Sequence, residues 1–522
     1  MNPWKSFLAV LTLLLAQNGF AAEQRLQTPW PTDLGPINPH LYSPNQMFAQ
    51  AMVYEPLVRY GANGEIAPWL AESWTMSEDG REYTFKLREG ITFSNGEPFD
   101  AAAVVANFQA ALANLERHSW LELANQIAGV ESVDRYTFLL RLHEPYYPLM
   151  QELALPRPFR FVAPSQFVEG GTVKGIQAPI GTGPWRLVES RLGEHYLFER
   201  NERYWGDRPV YDAVMVKIMP DPNSRAIALE TGQVDMVYGI SGPISPDTFE
   251  RFKQRGTMTA ELSDPYETLM IALNSQRGPT ADAAVRQAIN HAVDKDMMID
   301  TVLYGTQRRA DTLFAPNVPY ADVGLQPYAH DPARAQALLE EAGWQFEPGR
   351  NIRSRDGVEL RIDLVFIGTD AVYKSMAEII QGDLAKVGIG VALIGEEESS
   401  VYARQRDGRF GMIFNRTWGA PYDPHAFVSS MRAPSHADYQ AQLGLPDKPE
   451  IDALIGAVLL STDEDRRQEL YRDILTRLHE HAVYLPLTYL SAMAVARPGV
   501  EGIEFGALSS EIPFERFRPK AN

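Results

Sequence analysis

Apolar and polar positions along this chain follow the two periods that distinguish strands from helices. Residues 83–87 alternate apolar and polar side chains, which predicts a half-buried strand, and the dipeptide Asn95-Gly96 then predicts a tight turn. Residues 360–366 alternate in the same way. Residues 484–496 are apolar almost throughout, so they predict a buried strand near the end of the chain.

Helical spacing of apolar residues occurs between these strands. Asp331 and Pro332 are the residue types favoured at the N-cap and the first position of a helix, and Gly343 is a typical stop. Residues 282–300 and 377–387 carry a similar pattern. Because helices and short strands are mixed, the sequence predicts an α/β protein. The chain of 522 residues exceeds what one hydrophobic core usually serves, so two or more lobes are expected.

The first residues have the parts of a secretory signal peptide. Lys5 precedes an apolar run at 7–16, and the small residues of 19–22 follow it. The run is about half as long as the roughly 20 residues that cross a bilayer, so we prefer a signal to a retained anchor. Cleavage after Ala21 is expected, which makes 1–21 the signal peptide and the protein periplasmic.

Charge and composition exclude several classes of partner and site. The full chain carries a formal net charge of −19, and losing Lys5 with the signal makes it −20. Such acidity argues against nucleic acid and anionic membrane as main partners. Cysteine is absent, which excludes disulfides and thiolate metal sites. Any metal must therefore be bound by imidazole, carboxylate, thioether, water or an external ligand.

Motifs of catalysis are missing from the sequence. There is no phosphate-binding loop, nucleophile elbow, dinucleotide fingerprint or paired-histidine zinc helix. Three successive carboxylates, Glu396, Glu397 and Glu398, point in different directions on either a helix or a strand, so we interpret them as solvated surface. The sequence predicts that the protein is not an enzyme. A secreted hydrolase, the alternative, would need an activated nucleophile or a metal site built by the protein.

Spacing alone does not gather the histidines into a metal site. His479 and His481 are two residues apart and face different sides of a helix. His425 follows Asp423-Pro424 and is interpreted as a local turn or cap residue. His436 lies in the polar loop 432–438, where an imidazole can reach a cleft. The sequence contains ten histidines: His40, His118, His143, His195, His291, His330, His425, His436, His479 and His481.

Arginines next to aromatic rings are more informative. Residues 117–120 and 156–160 place guanidinium groups beside rings, and 418–422 put a tryptophan and a tyrosine around a Gly-Ala-Pro turn. Arginine forks bind carboxylates through paired hydrogen bonds, and rings cover flat parts of a ligand. Together they suit a cleft for a small multi-carboxylate anion, although each of them alone is also compatible with ordinary surface packing.

Several stretches resemble the extracytoplasmic solute-binding family (family 5) that serves peptide and nickel ABC importers. They keep the family's order over nearly the whole chain, and they are 53–57, 68–74, 93–99, 181–185, 201–205 and 331–344. Within the family, longer runs are similar to the nickel-binding members, namely 41–50, 120–126, 155–161, 395–400, 402–410, 418–427 and 434–438.

The resemblance implies a two-lobed α/β fold of the periplasmic-binding-protein type (type II, the large peptide- and nickel-binding class) with hinge strands between the lobes. We expect lobe I to comprise 22–266, including an extra subdomain, plus 491–522, and lobe II to comprise 267–490. A ligand would be trapped between them. The partners implied are the membrane permease subunits of a nickel ABC importer. We expect a monomer without an intrinsic cofactor.

The resemblance also implies that nickel(II) arrives as a small chelate, carboxylate-rich or of histidine type. Arg117 and Arg157 would hold its carboxylates, Arg157 the more strongly, and His436 would be the one protein ligand to the metal. The remaining residues implied at the cleft are Tyr42, Met47, Trp120, Tyr402, Trp418, Tyr422 and Ser510. The alternative within the family is a protein that binds a dipeptide, an oligopeptide or an opine metallophore.

Two positions depart from the nickel-binding pattern. Asn415 stands where a histidine is expected, which weakens the case for a second imidazole near Trp418. Ser510 stands where a threonine is expected, and this change keeps the hydroxyl. Neither departure affects the arginines, tyrosines or tryptophans of the expected site.

Overall fold

A computed structural model describes residues 24–41, 47–62, 64–118, 121–240 and 243–520. The predicted signal peptide at 1–21 and the expected cleft residues Tyr42 and Trp120 lie outside the described residues. Within the described part of the chain, no helix is both long and apolar enough to span a bilayer.

Strands occur along the whole described chain. They are β1 (Arg25–Trp30), β2 (Val58–Tyr60), β3 (Ile66–Pro68), β4 (Ala71–Met76), β5 (Glu82–Leu87), β6 (Ile127–Asp134), β7 (Thr137–Leu142), β8 (Phe167–Val168), β9 (Gly171–Ile176), β10 (Trp185–Arg191), β11 (His195–Arg200), β12 (Ala213–Ile218), β13 (Met236–Gly239), β14 (Thr259–Leu273), β15 (Arg308–Arg309), β16 (Gln345–Phe346), β17 (Arg353–Arg355), β18 (Val358–Glu359), β19 (Arg361–Ile367), β20 (Gly390–Glu396), β21 (Met412–Arg416), β22 (Tyr484–Ala496), β23 (Val500–Glu501) and β24 (Arg518–Pro519).

Helices lie between these strands and concentrate in the second half of the chain. They are α1 (Met47–Val53), α2 (Ala101–Leu112), α3 (Leu115–His118), α4 (Glu122–Gln126), α5 (Leu149–Leu153), α6 (Pro222–Thr231), α7 (Pro246–Arg255), α8 (Ala283–Ala292), α9 (Lys295–Thr301), α10 (Pro332–Glu341), α11 (Ala371–Lys386), α12 (Glu398–Arg406), α13 (His425–Ser430), α14 (Ala437–Gln442), α15 (Lys448–Leu460) and α16 (Glu464–Glu480).

Two four-stranded sheets are built from the first half of the chain. One has the order β1-β12-β11-β10, with β1 parallel to β12, and packs around buried Trp185 and Phe198. The other is an antiparallel sheet of order β4-β5-β7-β6, and its buried Phe85 and Phe138 pack with Phe108 of α2.

The largest sheet has the order β13-β22-β14-β21-β19-β20, with β15 paired to β22. Strand β19 runs parallel to both β20 and β21, and helices α8, α10 and α11 bury apolar residues against it in one core. Strand β21 is therefore held on both sides, by β14 and by β19.

Strands β14 and β22 are the longest, with 15 and 13 residues, and they pair antiparallel along most of their length. Their register shifts between Leu262 and Pro265, between Pro265 and Glu267, and between Leu269 and Met270. One end of the pair joins β13 and the other end joins β21. The pair thus connects β13 with β21 through an irregular middle.

A shared core also connects the β4–β7 sheet with the helices near the end of the chain. The backbone N–H of Tyr147 donates to the carbonyl of Leu459 at 3.2 Å, and the hydroxyls of Tyr147 and Tyr471 are hydrogen-bonded. The rings of Tyr320 and Tyr471 stack at 5.2 Å. This core holds the two regions against each other.

Most elements predicted from the pattern are confirmed. Strand β22 covers 484–496 as predicted, and Asp331 caps α10 by accepting from the N–H of Arg334 at 2.9 Å. The helical pattern at 282–300 is divided into α8 and α9, because Asp294 caps a second helix through the N–H of Met297. Helix α11 starts earlier than 377, since Asp370 caps it at Val372 and Tyr373.

Candidate ligand-binding site

Trp418 and His436 lie together where β21 ends and α14 begins. Their ring centroids are 5.5 Å apart and the rings are tilted by 46°. Tyr422 meets the same indole edge-on at 6.1 Å. Trp418 and His436 are half-buried, whereas Tyr422 is 9% exposed. Three of the expected cleft residues therefore form one aromatic group.

The turn that carries Trp418 is fixed by Asp423. The carboxylate accepts from the backbone N–H of Trp418 at 3.2 Å and of Gly419 at 2.9 Å. Burial raises the pKa of Asp423 to about 7. Gly419 has a φ of +73° and lies close to Glu267 of β14. The turn is thus positioned against the long strand pair.

His436 has the properties of a neutral imidazole. It immediately precedes α14, and its backbone N–H donates to the carbonyl of Ala433 at 3.0 Å. Burial lowers the pKa of His436 below its usual value, so the ring is uncharged at neutral pH. A neutral imidazole nitrogen is a suitable ligand for nickel and other divalent transition metals.

Arg117 and Arg157 lie near one another, beside His118. Burial lowers the pKa of His118, and the positive charges of Arg157 and Arg117 lower it further. Arg157 is 3% exposed, whereas Arg117 lies on the exposed side of α3. The two guanidinium groups that were expected to hold carboxylates therefore act on the same imidazole, one from the interior and one from the surface.

Arg160, three residues after Arg157, is held by buried backbone carbonyls. Its guanidinium is 2% exposed and donates to the carbonyls of Leu155 at 2.7 Å, Tyr54 at 2.9 Å and Ala154 at 3.0 Å. Burial lowers the pKa of Arg160 to about 10. Arg160 organises the loop on which Arg157 is carried.

A pair of buried histidines supports the same loop. His40 is fully buried, and its ring nitrogens contact the hydroxyl of Thr172 and the carbonyl of Arg160, both at 3.0 Å. His118 in turn contacts the carbonyl of His40 at 2.9 Å. Burial lowers the pKa of His40 to about 4, so the ring is neutral. His40 and His118 therefore have a structural role, because ring nitrogens of both are engaged in these contacts.

Met47, Tyr402 and Ser510 lie on three separate segments of the chain. Met47 is half-buried at the start of α1. Tyr402 on α12 is 56% exposed, and its hydroxyl donates to Glu398 at 2.9 Å. Ser510 is half-buried and follows Ser509, whose hydroxyl lies 3.5 Å from Glu267. Of these three residues, Ser510 lies near Glu267 through its neighbour Ser509.

Arg416 and Glu267 were not predicted from the sequence as residues near the candidate site. The Nε atom of Arg416 lies 3.6 Å from a carboxylate oxygen of Glu267, and the negative charge of Glu267 raises the pKa of Arg416. Tyr402 contributes to the same shift, so it lies near Arg416. The only signal in the sequence was the position of Arg416, two residues before Trp418.

The other candidate residues have separate partners. Glu396 binds Arg404 through two hydrogen bonds of 2.7 Å. His425 begins α13 directly after the turn, which agrees with its interpretation as a local turn or cap residue. It is also 2% exposed, and its Nε2 lies 3.3 Å from an oxygen of Glu152. In the parts of the chain that the structure covers, no three His, Cys, Asp or Glu side chains are grouped so as to hold a metal ion.

Comparison with known proteins identifies the family. The family described as "Bacterial extracellular solute-binding proteins, family 5 Middle" matches residues 65–439. The nickel-binding periplasmic protein of Escherichia coli (strain K12) is 59% identical over 499 residues, which are 96% of this chain and 95% of that protein. The dipeptide-binding protein of the same strain is 27% identical and covers 89% of each chain.

A solved structure agrees with these relatives. The crystal structure of NikA from Brucella suis in complex with Fe(III)-EDTA is 68% identical, has a TM-score of 0.94, and matches 95% of this chain and 100% of that one. The predicted two-lobed α/β fold of the periplasmic-binding-protein type is confirmed by this match. The chain belongs to the bacterial extracellular solute-binding proteins of family 5.

Proposed function

We propose that this protein captures nickel(II) as a small organic chelate outside the cytoplasm and delivers it to an ABC importer. The observation that carries the proposal is 59% identity, over 96% of the chain, to the E. coli nickel-binding periplasmic protein. A chelate is proposed rather than a bare ion because His436 is the single imidazole beside Trp418 among the described residues.

The chemistry of the arginine pair and of the aromatic group supports this choice. A carboxylate-rich chelate carries negative charge, and Arg117 and Arg157 supply forks that match carboxylates. Nickel(II) accepts imidazole together with carboxylate and water ligands. His436 can therefore complete the coordination of a metal ion whose other positions are filled by the chelator. Trp418 and Tyr422 then cover the apolar parts of the chelator.

Closure of two lobes on the chelate is part of the proposal. Lobe I is assigned to 22–266 plus 491–522 and lobe II to 267–490. The register shifts around Glu267 and the pairing of Glu267 with Leu490 support placing the hinge at these boundaries. A ligand that contacts both lobes favours the closed state, which presents a surface to the permease subunits.

Several further features are inferred from the family. We propose that 1–21 are a signal peptide removed on export, that the mature protein is periplasmic, and that it acts as a monomer. We also propose that it has no catalytic activity and no intrinsic cofactor, since nickel is its cargo. The partners are the membrane permease subunits and the chelate, not nucleic acid.

Native mass spectrometry of the protein purified from periplasm tests the proposal. The expected result is a mass increase equal to nickel plus an organic chelator. Calorimetry should then give saturable binding of the nickel(II)–L-histidine complex and no binding of dipeptides. A peptide mass in the native complex, or tight dipeptide binding independent of nickel, would favour the peptide-binding or opine-binding alternative. Turnover of a substrate would revive the hydrolase alternative.

A further inference from the structure

Asn415 is held in one place by the sheet and by a buried carboxylate. Its backbone is paired with Met270 of β14, in a strand that has neighbours on both sides. Its side-chain amide donates to both oxygens of Asp438, at 3.0 and 3.1 Å. The amide and the carboxylate therefore join the end of β21 to the first turn of α14.

Asp438 is itself enclosed in a small hydrogen-bond network. It is 2% exposed, and the hydroxyl of Tyr484 donates to the oxygen Oδ1 at 2.9 Å. The amide of Gln442 donates to that hydroxyl at 2.9 Å. A buried carboxylate that accepts several hydrogen bonds has little freedom to move, because losing a partner costs desolvation without compensation.

The same two elements carry the two rings of the proposed metal site. Trp418 follows β21, three residues after Asn415, and His436 precedes Asp438 by two residues. The ring centroids of Trp418 and His436 are 5.5 Å apart. The distance between the indole and the imidazole depends on how the end of β21 lies against the start of α14. The hydrogen bonds from Asn415 to Asp438 join these two elements.

We propose that Asn415 is a positioning residue for the metal: by binding Asp438 it fixes the imidazole of His436 against Trp418. This inference rests on the proposed function, since it assigns the residue that orients the metal ligand. Groups that orient a metal-binding histidine commonly change metal affinity by about 10- to 100-fold when they are removed. A histidine at 415 would lose this geometry, because an imidazole cannot donate to both oxygens as the amide does.

A double-mutant cycle tests the inference, using two probes with different coordination. The nickel(II)–L-histidine complex leaves coordination positions open for a protein imidazole, whereas EDTA can fill the shell of Fe(III) by itself. Asn415→Leu should weaken binding of the nickel complex by about 10-fold and leave Fe(III)-EDTA binding within about twofold of the wild type. In a His436→Ala background, Asn415→Leu should have no additional effect on nickel binding.

Two further variants control for damage to the fold. Asn290→Leu removes another buried amide, which donates to the carbonyl of Arg286 at 3.1 Å in α8, and should leave both affinities unchanged. The exchange Asn415→Asp with Asp438→Asn restores an amide–carboxylate pair in reverse order and should recover most of the nickel affinity. It keeps the inference testable even if Asn415→Leu folds poorly.

The outcomes separate this inference from the proposed function. If the wild-type protein binds neither probe, both fail. If the wild type binds the nickel complex but the effects of Asn415→Leu and His436→Ala are additive, the positioning role is overturned while the proposed function stands. Equal losses for nickel–histidine and Fe(III)-EDTA in Asn415→Leu would also overturn it, because they would indicate a general distortion of the cleft.

Discussion

Gly419 lies directly against Glu267: a methyl group at Gly419 would be 3.1 Å from Cγ of Glu267 and 3.2 Å from the carbonyl oxygen of Tyr266. The turn after Trp418 therefore rests on β14 at one of the register shifts of the long strand pair. The Nε atom of Arg416 reaches the same carboxylate from the end of β21. Glu267 thus connects the aromatic group of the site with the strand assigned to the hinge.

Gly419→Ala should weaken chelate binding, because the turn must move away from Glu267 to admit the methyl group. The backbone strain at positive φ adds about 1 kcal/mol of destabilisation. Gly193→Ala is the matched control, since Gly193 has a φ of +75° and a methyl group there would have nothing within 4 Å. Calorimetry and thermal unfolding of both variants should show similar strain but a loss of affinity only in Gly419→Ala. Equal affinities would mean that the contact with Glu267 does not position the turn.

Arg160→Met should destabilise the fold more than Arg117→Ala. The methionine leaves the carbonyls of Ala154, Leu155 and Tyr54 buried without their donor, at a cost of roughly 3 kcal/mol. Arg117 is exposed, so its removal should hardly change stability. Urea unfolding of the two variants measures the difference, and an equally small loss for both would show that Arg160 does not organise the loop.

The local elements were predictable because their signals lie within a few residues. Asp331 and Pro332 specify the start of α10 by themselves, and unbroken apolar character specifies β22. The division of the helical pattern at 282–300 into α8 and α9 also has a local signal. Asp294 is a good N-cap residue in the middle of an otherwise continuous pattern. Long β14 was not predicted, because Asp264 and Pro265 interrupt its alternation.

The site was less predictable, because its contacts join residues that are distant in sequence. Trp418 and His436 are brought together by β21 and α14, and no spacing rule places them side by side. Arg157 and Arg160 have similar neighbours in the sequence. Only the fold shows that the guanidinium of Arg160 donates hydrogen bonds to backbone carbonyls. The departure at Asn415 was visible in the sequence, whereas its partner Asp438 was visible only in the structure.

Arg157→Ala should reduce affinity for a carboxylate-bearing chelate more than His436→Ala does. Loss of Arg157 leaves a carboxylate of the chelate without its guanidinium in a closed cleft, whereas water can replace one metal-bound imidazole. Arg334→Ala, which removes an exposed arginine on α10, controls for the change in net charge. Titrations with nickel(II)–L-histidine and Fe(III)-EDTA check the order. Equal losses, or a larger loss for His436→Ala with both probes, would contradict it.

Asp423 should make the folded protein less stable as pH rises toward neutrality. Burial raises its pKa from 3.8 to about 7, so the folded state holds a proton that the unfolded state releases near pH 4. The stabilisation is therefore complete below about pH 4 and is lost progressively as pH rises to about 7. Asp423→Asn does not titrate and keeps one acceptor oxygen where the carboxyl group has two, for the N–H groups of Trp418 and Gly419, so it carries a cost that is independent of pH. Compared with the wild type, the variant should gain relative stability between about pH 4 and about pH 7, measured as the difference in free energy of unfolding in urea. A difference that stays constant over this range would show that Asp423 is ionised throughout in the folded protein.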